Sequence, residues 1–353
     1  MTYLESFYFT RLPLFMLNDA NIEKPAKRRI LCIDGGGLLG TFPAAFLAAL
    51  EERVERPIGQ YFDLIAGTST GGIIALGLGL GLQASEILRL YRDRGAEIFG
   101  QHHAPLKNAL FRQLRKIRWL RRAKYDSEKL REILVEVFGE KHIGDASTRL
   151  VIPAWSPTAG AVYIYKTAHH PRLKTDYKEL VVDAALATAA APTYFQAHMT
   201  RHDVGLVDGG VWANNPIGIA VVEAITLLDW PRDSLHVLSL GCLSEVYNIP
   251  ASAGLLTLGK KTIRLFMDGQ SHGAMGIAKL LTGHEHERQA IYRIDHTVPY
   301  GEYSMDDAKV IRRLEGLGYE RARDRYPVLE PVFFDRPTEK FKPFYTLEPK
   351  NAS

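Results

Sequence analysis

Only two cysteines occur in the 353 residues, Cys32 and Cys242, and both sit in apolar, strand-like runs. That scarcity excludes a disulfide scaffold and leaves buried thiols as the expected state. Long apolar runs are also missing: the longest, Ile73 to Leu82, is rich in glycine and too short to span a bilayer. Glu5 and Arg11 stand among the aromatics of the N-terminal stretch, where a secretory signal would need a basic region followed by an apolar one. Neither charge sign dominates, with 44 Lys and Arg against 40 Asp and Glu. A net charge of +4 selects no partner by itself, and no nucleic acid is expected. Repeats, low-complexity tracts and strong linkers are lacking. His284-Glu285-His286-Glu287 lacks the i, i+4 spacing of a helical zinc pair, so a solvated charged helix and no metal are expected there. What is present, 46% hydrophobic residues, is ample for a core of one large domain or two.

The most informative stretch is Phe62-Asp63-Leu64-Ile65-Ala66-Gly67-Thr68-Ser69-Thr70-Gly71-Gly72. An apolar strand-like run ends in Gly67-x-Ser69-x-Gly71, and an apolar helix-like run follows at once. That order builds a nucleophile elbow, a strained strand-to-helix turn that lifts a serine hydroxyl over a sheet edge. The helix aims its free N–H groups and positive dipole end at the reacting centre. Ser69 therefore reads as an acyl-transfer nucleophile. The template recurs at Gly269-Gln270-Ser271-His272-Gly273, but Ile263, Phe266 and Met267 before it fall at helical spacing, so Ser271 reads as a serine in a helix break or polar turn.

Two further glycine turns accompany Ser69. The strand-like Arg29-Ile30-Leu31-Cys32-Ile33 runs into Asp34-Gly35-Gly36-Gly37-Leu38-Leu39-Gly40, and a helix from Pro43 to Arg53 follows. Formally Gly35-x-Gly37-x-x-Gly40 is a dinucleotide fingerprint, and a nucleotide-binding protein with no hydrolytic role is one reading of it. The alternative is an oxyanion hole from the N–H groups of Gly35, Gly36, Gly37 and Leu38, next to a helix N-terminus. A nucleophile about thirty residues downstream, one βα unit later, favours the second. The third turn, Asp208-Gly209-Gly210, ends a strand-like Val204 to Val207 before a proline-started helix, Pro216 to Leu228. A carboxylate held close to Ser69 can act directly as general base, while an isolated Asp-Gly-Gly is otherwise an ordinary turn. A conventional triad would instead draw on His169, His170, His198, His202 or His236, with His202 best placed in sequence.

Together, the loop Asp34 to Gly40, the elbow Gly67 to Gly72 with Gly71, and Asp208-Gly209-Gly210 resemble the patatin-like phospholipase family over roughly residues 28 to 220. The resemblance implies a three-layer α/β/α sandwich with a mostly parallel central sheet. It also implies a Ser69–Asp208 dyad and acyl-ester hydrolysis in glycerolipids without a catalytic cofactor or metal. The chain departs from the family at Leu39, where an Arg or Lys is usual; a non-catalytic protein is the reading this departure leaves open. More narrowly, Ile33 to Gly37, Phe42-Pro43-Ala44-Ala45-Phe46-Leu47, the length and Gln270-Ser271-His272 resemble bacterial effector phospholipases of cyclic-oligonucleotide anti-phage systems. That likeness implies a cyclic dinucleotide activator of the 3′3′-cGAMP type.

Residues 98–125 hold eight Lys or Arg and no acidic residue. Arg112, Arg115, Lys116, Arg118, Arg121 and Arg122, with Trp119 as an aromatic anchor, form a basic amphipathic segment. It suits an anionic phospholipid surface or a mobile cap, and equally a solvated helix edge. The expected organisation is an N-terminal arm (1–27) suited to packing or self-association, an α/β catalytic domain (28–240) and a mainly helical C-terminal extension (241–353). The expected setting is cytoplasmic, with peripheral contact at the inner face of the membrane and the option of a homo-oligomer.

Overall fold

A computed structural model describes residues 26–99, 123–246, 261–299 and 301–348, with the backbone alone for 261–264. The expected N-terminal arm up to residue 25 and the basic residues Arg112, Arg115, Lys116, Arg118, Trp119, Arg121 and Arg122 lie outside the described residues.

Hydrophobic strands without alternation call for a sheet covered on both faces, and that is what forms. β1 (Arg28–Ile33) is fully buried from Ile30 onward. It pairs in parallel with β2 (Leu64–Gly67) on one side and β7 (Leu235–Leu240) on the other. β2 continues in parallel to β3 (Arg149–Ser156). β4 (Ala161–Lys166) returns antiparallel along β3 through a Pro157–Gly160 turn. β5 (His198–Met199) and β6 (Gly205–Asp208) complete that side, with β6 antiparallel to β3 at Ala154 and Trp155. The result is an eight-stranded, mostly parallel sheet in which β5, β6, β3, β2, β1 and β7 follow in order.

Helices cover both faces. The larger core cluster lies under α1 (Thr41–Glu51), α2 (Thr70–Gly79), α3 (Ala84–Ile98), α4 (Ser127–Phe138) and α5 (Val181–Ala189). The opposite face is covered by α7 (Ile217–Thr226) and α8 (Lys261–Thr282), around Ile30, Cys32, Leu64, Ile217, Val221 and Ala278. A one-turn α6 (Gly210–Ala213) precedes α7. The helix boundaries track local chemistry: Asp126 caps α4 by accepting the Glu128 N–H at 2.9 Å, a start signal visible in the sequence.

Beyond residue 240 the chain is helical in α8 and α9 (Ile311–Leu329), and it also feeds the sheet. β9 (Ile291–Ile294) extends the parallel order beyond β7, while β8 (Ser244–Val246) and β10 (Thr297–Pro299) form a separate pair. The sheet therefore does not stop at the expected boundary of 240. α9 packs on α1, close enough at Gly318 that a methyl there would stand 2.6 Å from Ala45 Cβ and 2.7 Å from the Phe42 carbonyl. Residues 284–287 form a turn after α8 where a charged helix is expected, because Gly283, at φ 64°, ends the helix. His284 is buried in that turn and accepts the N–H groups of Ala290 and Ile291, both at 3.1 Å. Cys32 and Cys242 are both buried and form no disulfide.

Candidate active site

Parallel packing brings the carboxyl ends of β1 and β2 to one sheet edge, and each strand leaves through a glycine turn. Ser69 stands at the turn after β2 with φ 55° and ψ −124°, a backbone state that non-glycine residues seldom adopt. The turn holds that state through three contacts. The Ser69 N–H donates to Thr188 Oγ1 at 3.0 Å, and the Thr188 hydroxyl donates to the Pro153 carbonyl at 2.7 Å. The Thr68 N–H reaches the Ile33 carbonyl at 3.1 Å, which ties the elbow to the end of β1. Gly71 is required by close approach: a methyl there would lie 2.3 Å from the Ile33 carbonyl oxygen. α2 then starts at Thr70, so its first N–H groups face the serine without intrahelical partners.

Asp208 ends β6, paired to Ala154 across the sheet. The Ser69 hydroxyl stabilises its ionised carboxylate, and the Gly210 N–H donates to Asp208 Oδ1 at 2.6 Å. Asp208 is only 4% exposed. Burial pushes its pKa up to about 6, with the Ser69 and Gly210 hydrogen bonds pulling the other way. A carboxylate so placed is a stronger base than a solvated one and still largely ionised at neutral pH. Gly209 lies flat against β3: a methyl there would stand 2.3 Å from the Pro153 carbonyl.

The loop after β1 closes on the same point. A methyl on Gly35 would stand 3.1 Å from Ser69 Cβ, so the loop abuts the serine. Its four expected donors divide into two pairs. The Gly35 N–H is spent on the Asn214 carbonyl at 3.0 Å and the Leu38 N–H on the Met305 carbonyl at 2.8 Å. Among the described residues, the N–H groups of Gly36 and Gly37 have no acceptor. An oxyanion beside Ser69 would therefore find its donors at Gly36 and Gly37. Gly37 has φ 58°, and Gly40 packs against Thr70. Leu39 is 2% exposed in the larger core, so the loop carries no cation there.

The cation near this loop comes from β9. Arg293 binds the Asp34 carboxylate with both guanidinium nitrogens, Nη1 to Oδ1 at 3.0 Å and Nη2 to Oδ2 at 2.6 Å. Arg293 and Thr188 both escape a reading of motifs. Thr188 sits in α5, whose small residues let it pack closely and are the one available signal; Arg293 has none, being a lone arginine in a short strand. A cavity of about 240 Å³ adjoins the site, lined by Gly35, Asn214, Cys242, Ser271, His272 and Arg293 among others. It touches the residues that abut Ser69 without taking Ser69 or Asp208 into its wall.

The other sequence candidates fall elsewhere. Ser271 is inside α8, where no strand-to-helix elbow exists; its Oγ accepts from Asn215 Nδ2 at 3.1 Å. His169 is buried with Nε2 on Glu223 at 2.8 Å, His198 faces Asp183 at 3.4 Å, and His202 is exposed in a turn. His236, beside Arg288, has its pKa lowered to about 4 by burial.

The family model described as Patatin-like phospholipase matches residues 31–221. A curated relative named "cGAMP-activated phospholipase" from Pseudomonas aeruginosa (strain BWHPSA011 / Pa011) is 40% identical over 228 residues, 64% of this chain and 66% of that protein. A relative with the same name from Vibrio cholerae serotype O1 is 32% identical over 346 residues, covering 89% of this chain and 96% of the relative. A third, from Escherichia coli (strain TW11681), is 30% identical over 360 residues, covering 93% and 98%.

Proposed function

The chain belongs to the patatin-like phospholipase family, and from that premise we propose that it releases fatty acids from membrane phospholipids through a Ser69–Asp208 dyad. The observation that carries the reading is a buried Asp208 whose carboxylate is stabilised by the Ser69 hydroxyl, with Ser69 at a strained elbow. In the first half-reaction Asp208 takes the Ser69 proton while Ser69 Oγ bonds to the ester carbonyl carbon. The N–H groups of Gly36 and Gly37 receive the charge that forms on the carbonyl oxygen. Collapse of the tetrahedral adduct breaks the ester C–O bond, and Asp208 returns the proton to the departing lysolipid alcohol. Water, deprotonated by Asp208, then attacks the acyl-serine; the proton passes back to Ser69 and the fatty acid leaves. The mechanism uses no metal or cofactor.

We propose further that a cyclic dinucleotide of the 3′3′-cGAMP type switches the enzyme on; the names of the relatives call those proteins cGAMP-activated. The setting would be anti-phage defence: a cytoplasmic enzyme held off until the signal arrives, then acting at the inner face of the membrane. Peripheral contact is supported by α8, on which Phe266, Ile277 and Leu280 are 70, 52 and 72% exposed. Among the described residues no helix is long and apolar enough to cross a membrane.

The deciding experiment is fatty-acid release from mixed phospholipid vesicles, with and without a cyclic dinucleotide panel, for wild type, Ser69→Ala, Asp208→Ala and Ser271→Ala. Release by wild type and Ser271→Ala alone, and only with nucleotide, is the expected result. Release without nucleotide would leave the dyad and remove the switch. Silence of wild type under every condition would remove the hydrolase.

A further inference from the structure

Asp34 opens the glycine loop, yet its side chain points away from Ser69 chemistry and into an ionic network. Its N–H donates to the Leu240 carbonyl at 2.9 Å, and its own carbonyl accepts the Cys242 thiol at 3.2 Å. The backbone of Asp34 is thus stitched to the end of β7, while Gly35, the next residue, abuts Ser69 and Gly36, one further, offers a free N–H. Whatever fixes the Asp34 carboxylate therefore fixes the peptide planes that carry the oxyanion donors.

Arg293 is that fixing group. Besides its two bonds to Asp34, its Nη1 donates to Ser239 Oγ on β7 at 2.8 Å and its Nη2 to Asp295 Oδ2 at 2.9 Å. Asp295 is itself held: Oδ2 accepts the Ser244 hydroxyl at 2.8 Å and Oδ1 the His296 N–H at 2.8 Å. The planar fork matches a carboxylate in two bonds at once, a geometry a lysine cannot reproduce. Space is kept for it at Gly241, where a methyl would stand 2.6 Å from Arg293 Nη2 and 2.3 Å from Asp295 Oδ2. Asp34 is 4% exposed, so without this partner the loop would carry an uncompensated buried carboxylate.

We propose that Arg293 is a positioning residue for the hydrolysis: through the Asp34 carboxylate it holds the Gly36 and Gly37 N–H groups at the distance from Ser69 that the oxyanion requires. The C-terminal region thereby completes a site whose nucleophile, base and oxyanion donors all lie before residue 209. The proposal rests on the Ser69–Asp208 reading, and the test separates the two.

The test is the rate of labelling of Ser69 by a fluorophosphonate, whose phosphonyl oxygen needs the same donors. It uses the full-length protein with 3′3′-cGAMP present, follows the reaction by intact mass, and takes Ser69→Ala as control. Arg293→Met should lower the maximal labelling rate by about 30- to 100-fold, up to the low end of the roughly 100- to 1,000-fold cost of losing an oxyanion donor outright. The probe concentration giving half-maximal rate should stay within about threefold, as expected for a loss confined to the transition state. Arg293→Lys should recover part of the rate. Asp34→Asn should match Arg293→Met, and the double variant should be no slower than either, since both cut one connection. If Arg293→Met does not accumulate folded, the double variant, which leaves no unpaired charge at Asp34 and keeps Asp295 on the Ser244 hydroxyl and the His296 N–H, carries the comparison with Asp34→Asn. A folded Arg293→Met or double variant that labels within threefold of wild type overturns the positioning role and leaves the dyad standing. Losses that multiply in the double variant also overturn it. A wild type that Ser69→Ala shows to be unlabelled at this serine overturns the dyad and the positioning role with it.

Discussion

Asp208 is the group through which pH should control both activity and stability, in opposite senses. Its carboxyl is raised from the ordinary 3.8 to about 6, chiefly by burial. That rise corresponds to about 3 kcal/mol in favour of the protonated form. For activity, the ionised form is the base, so the fraction competent is about nine-tenths at pH 7 and about one-tenth at pH 5. The rate of fatty-acid release per unit of enzyme and substrate should fall at least tenfold per pH unit below 6, measured on vesicles with saturating activator. A limb centred near pH 4 would refute the burial reasoning. A histidine base could mimic the limb, so the temperature dependence of its midpoint is measured too: carboxylate ionisation is nearly athermal, imidazolium ionisation is not. For stability the sign reverses. The folded pKa lies above the unfolded one, so the contribution is fully present below about pH 4 and is lost as pH rises through 6. Asp208→Asn keeps an acceptor for the Gly210 N–H and removes the buried charge. It should therefore be inactive yet more stable than wild type at pH 8, by up to about 3 kcal/mol, with the gap closing by pH 4. Denaturation midpoints at the two pH values test this, and equal gaps at both would refute it.

Three further outcomes follow from the same geometry. Thr188→Val removes the acceptor for the Ser69 N–H and the donor to the Pro153 carbonyl; it should cost about 1–3 kcal/mol in denaturant melts and lower the rate of Ser69 acylation. Gly37→Ala places a methyl 2.5 Å from the Met305 carbonyl at φ 58°, so it should cost about 1–3 kcal/mol of stability and slow turnover without abolishing Ser69 labelling. Ser271→Ala loses one hydrogen bond from Asn215 and should change stability by about 1 kcal/mol at most while leaving vesicle hydrolysis within a few-fold of wild type.

The parts of the site that sequence reveals are those whose chemistry is local. An elbow, a glycine loop and an Asp-Gly-Gly turn each need particular residue types within a few positions, because the backbone must turn tightly or approach a neighbour closely. Ser69, Gly35 to Leu38 and Asp208 are visible for that reason, and the buried parallel strands announce themselves by apolar runs, unbroken in Ile30–Ile33 and interrupted by His236 and Ser239 in Leu235–Leu240. Two features were not legible. Which N–H groups of the glycine loop are free depends on Asn214 and Met305, which are distant in sequence and reach the loop through backbone carbonyls that carry no residue signature. The strand β9 is only four residues long, Ile291–Ile294, with Tyr292 and Arg293 inside it, and nothing in so short a run distinguishes it from a loop.

That second omission bears on how the site is built. Arg293 precedes its fellow ligand Asp295 by two residues, so both side chains project from the same side of a strand continuation, where one can brace the other. A guanidinium at that place would be costly to bury alone, and Asp34 and Asp295 offset the cost from opposite sides, raising its pKa further above the ordinary value although burial by itself acts to lower it. The Asp34 carboxyl meanwhile stands near 6, burial outweighing the pull of Arg293. The pair is therefore ionic at neutral pH and loosens in acid, in the same range where Asp208 takes up its proton. Below pH 6 the base and the loop anchor are lost together, so the acid limb should be steeper than one proton in wild type and return to a single-proton slope in Asp34→Asn. A slope of one in both proteins would show that the anchor is not titrating with the base.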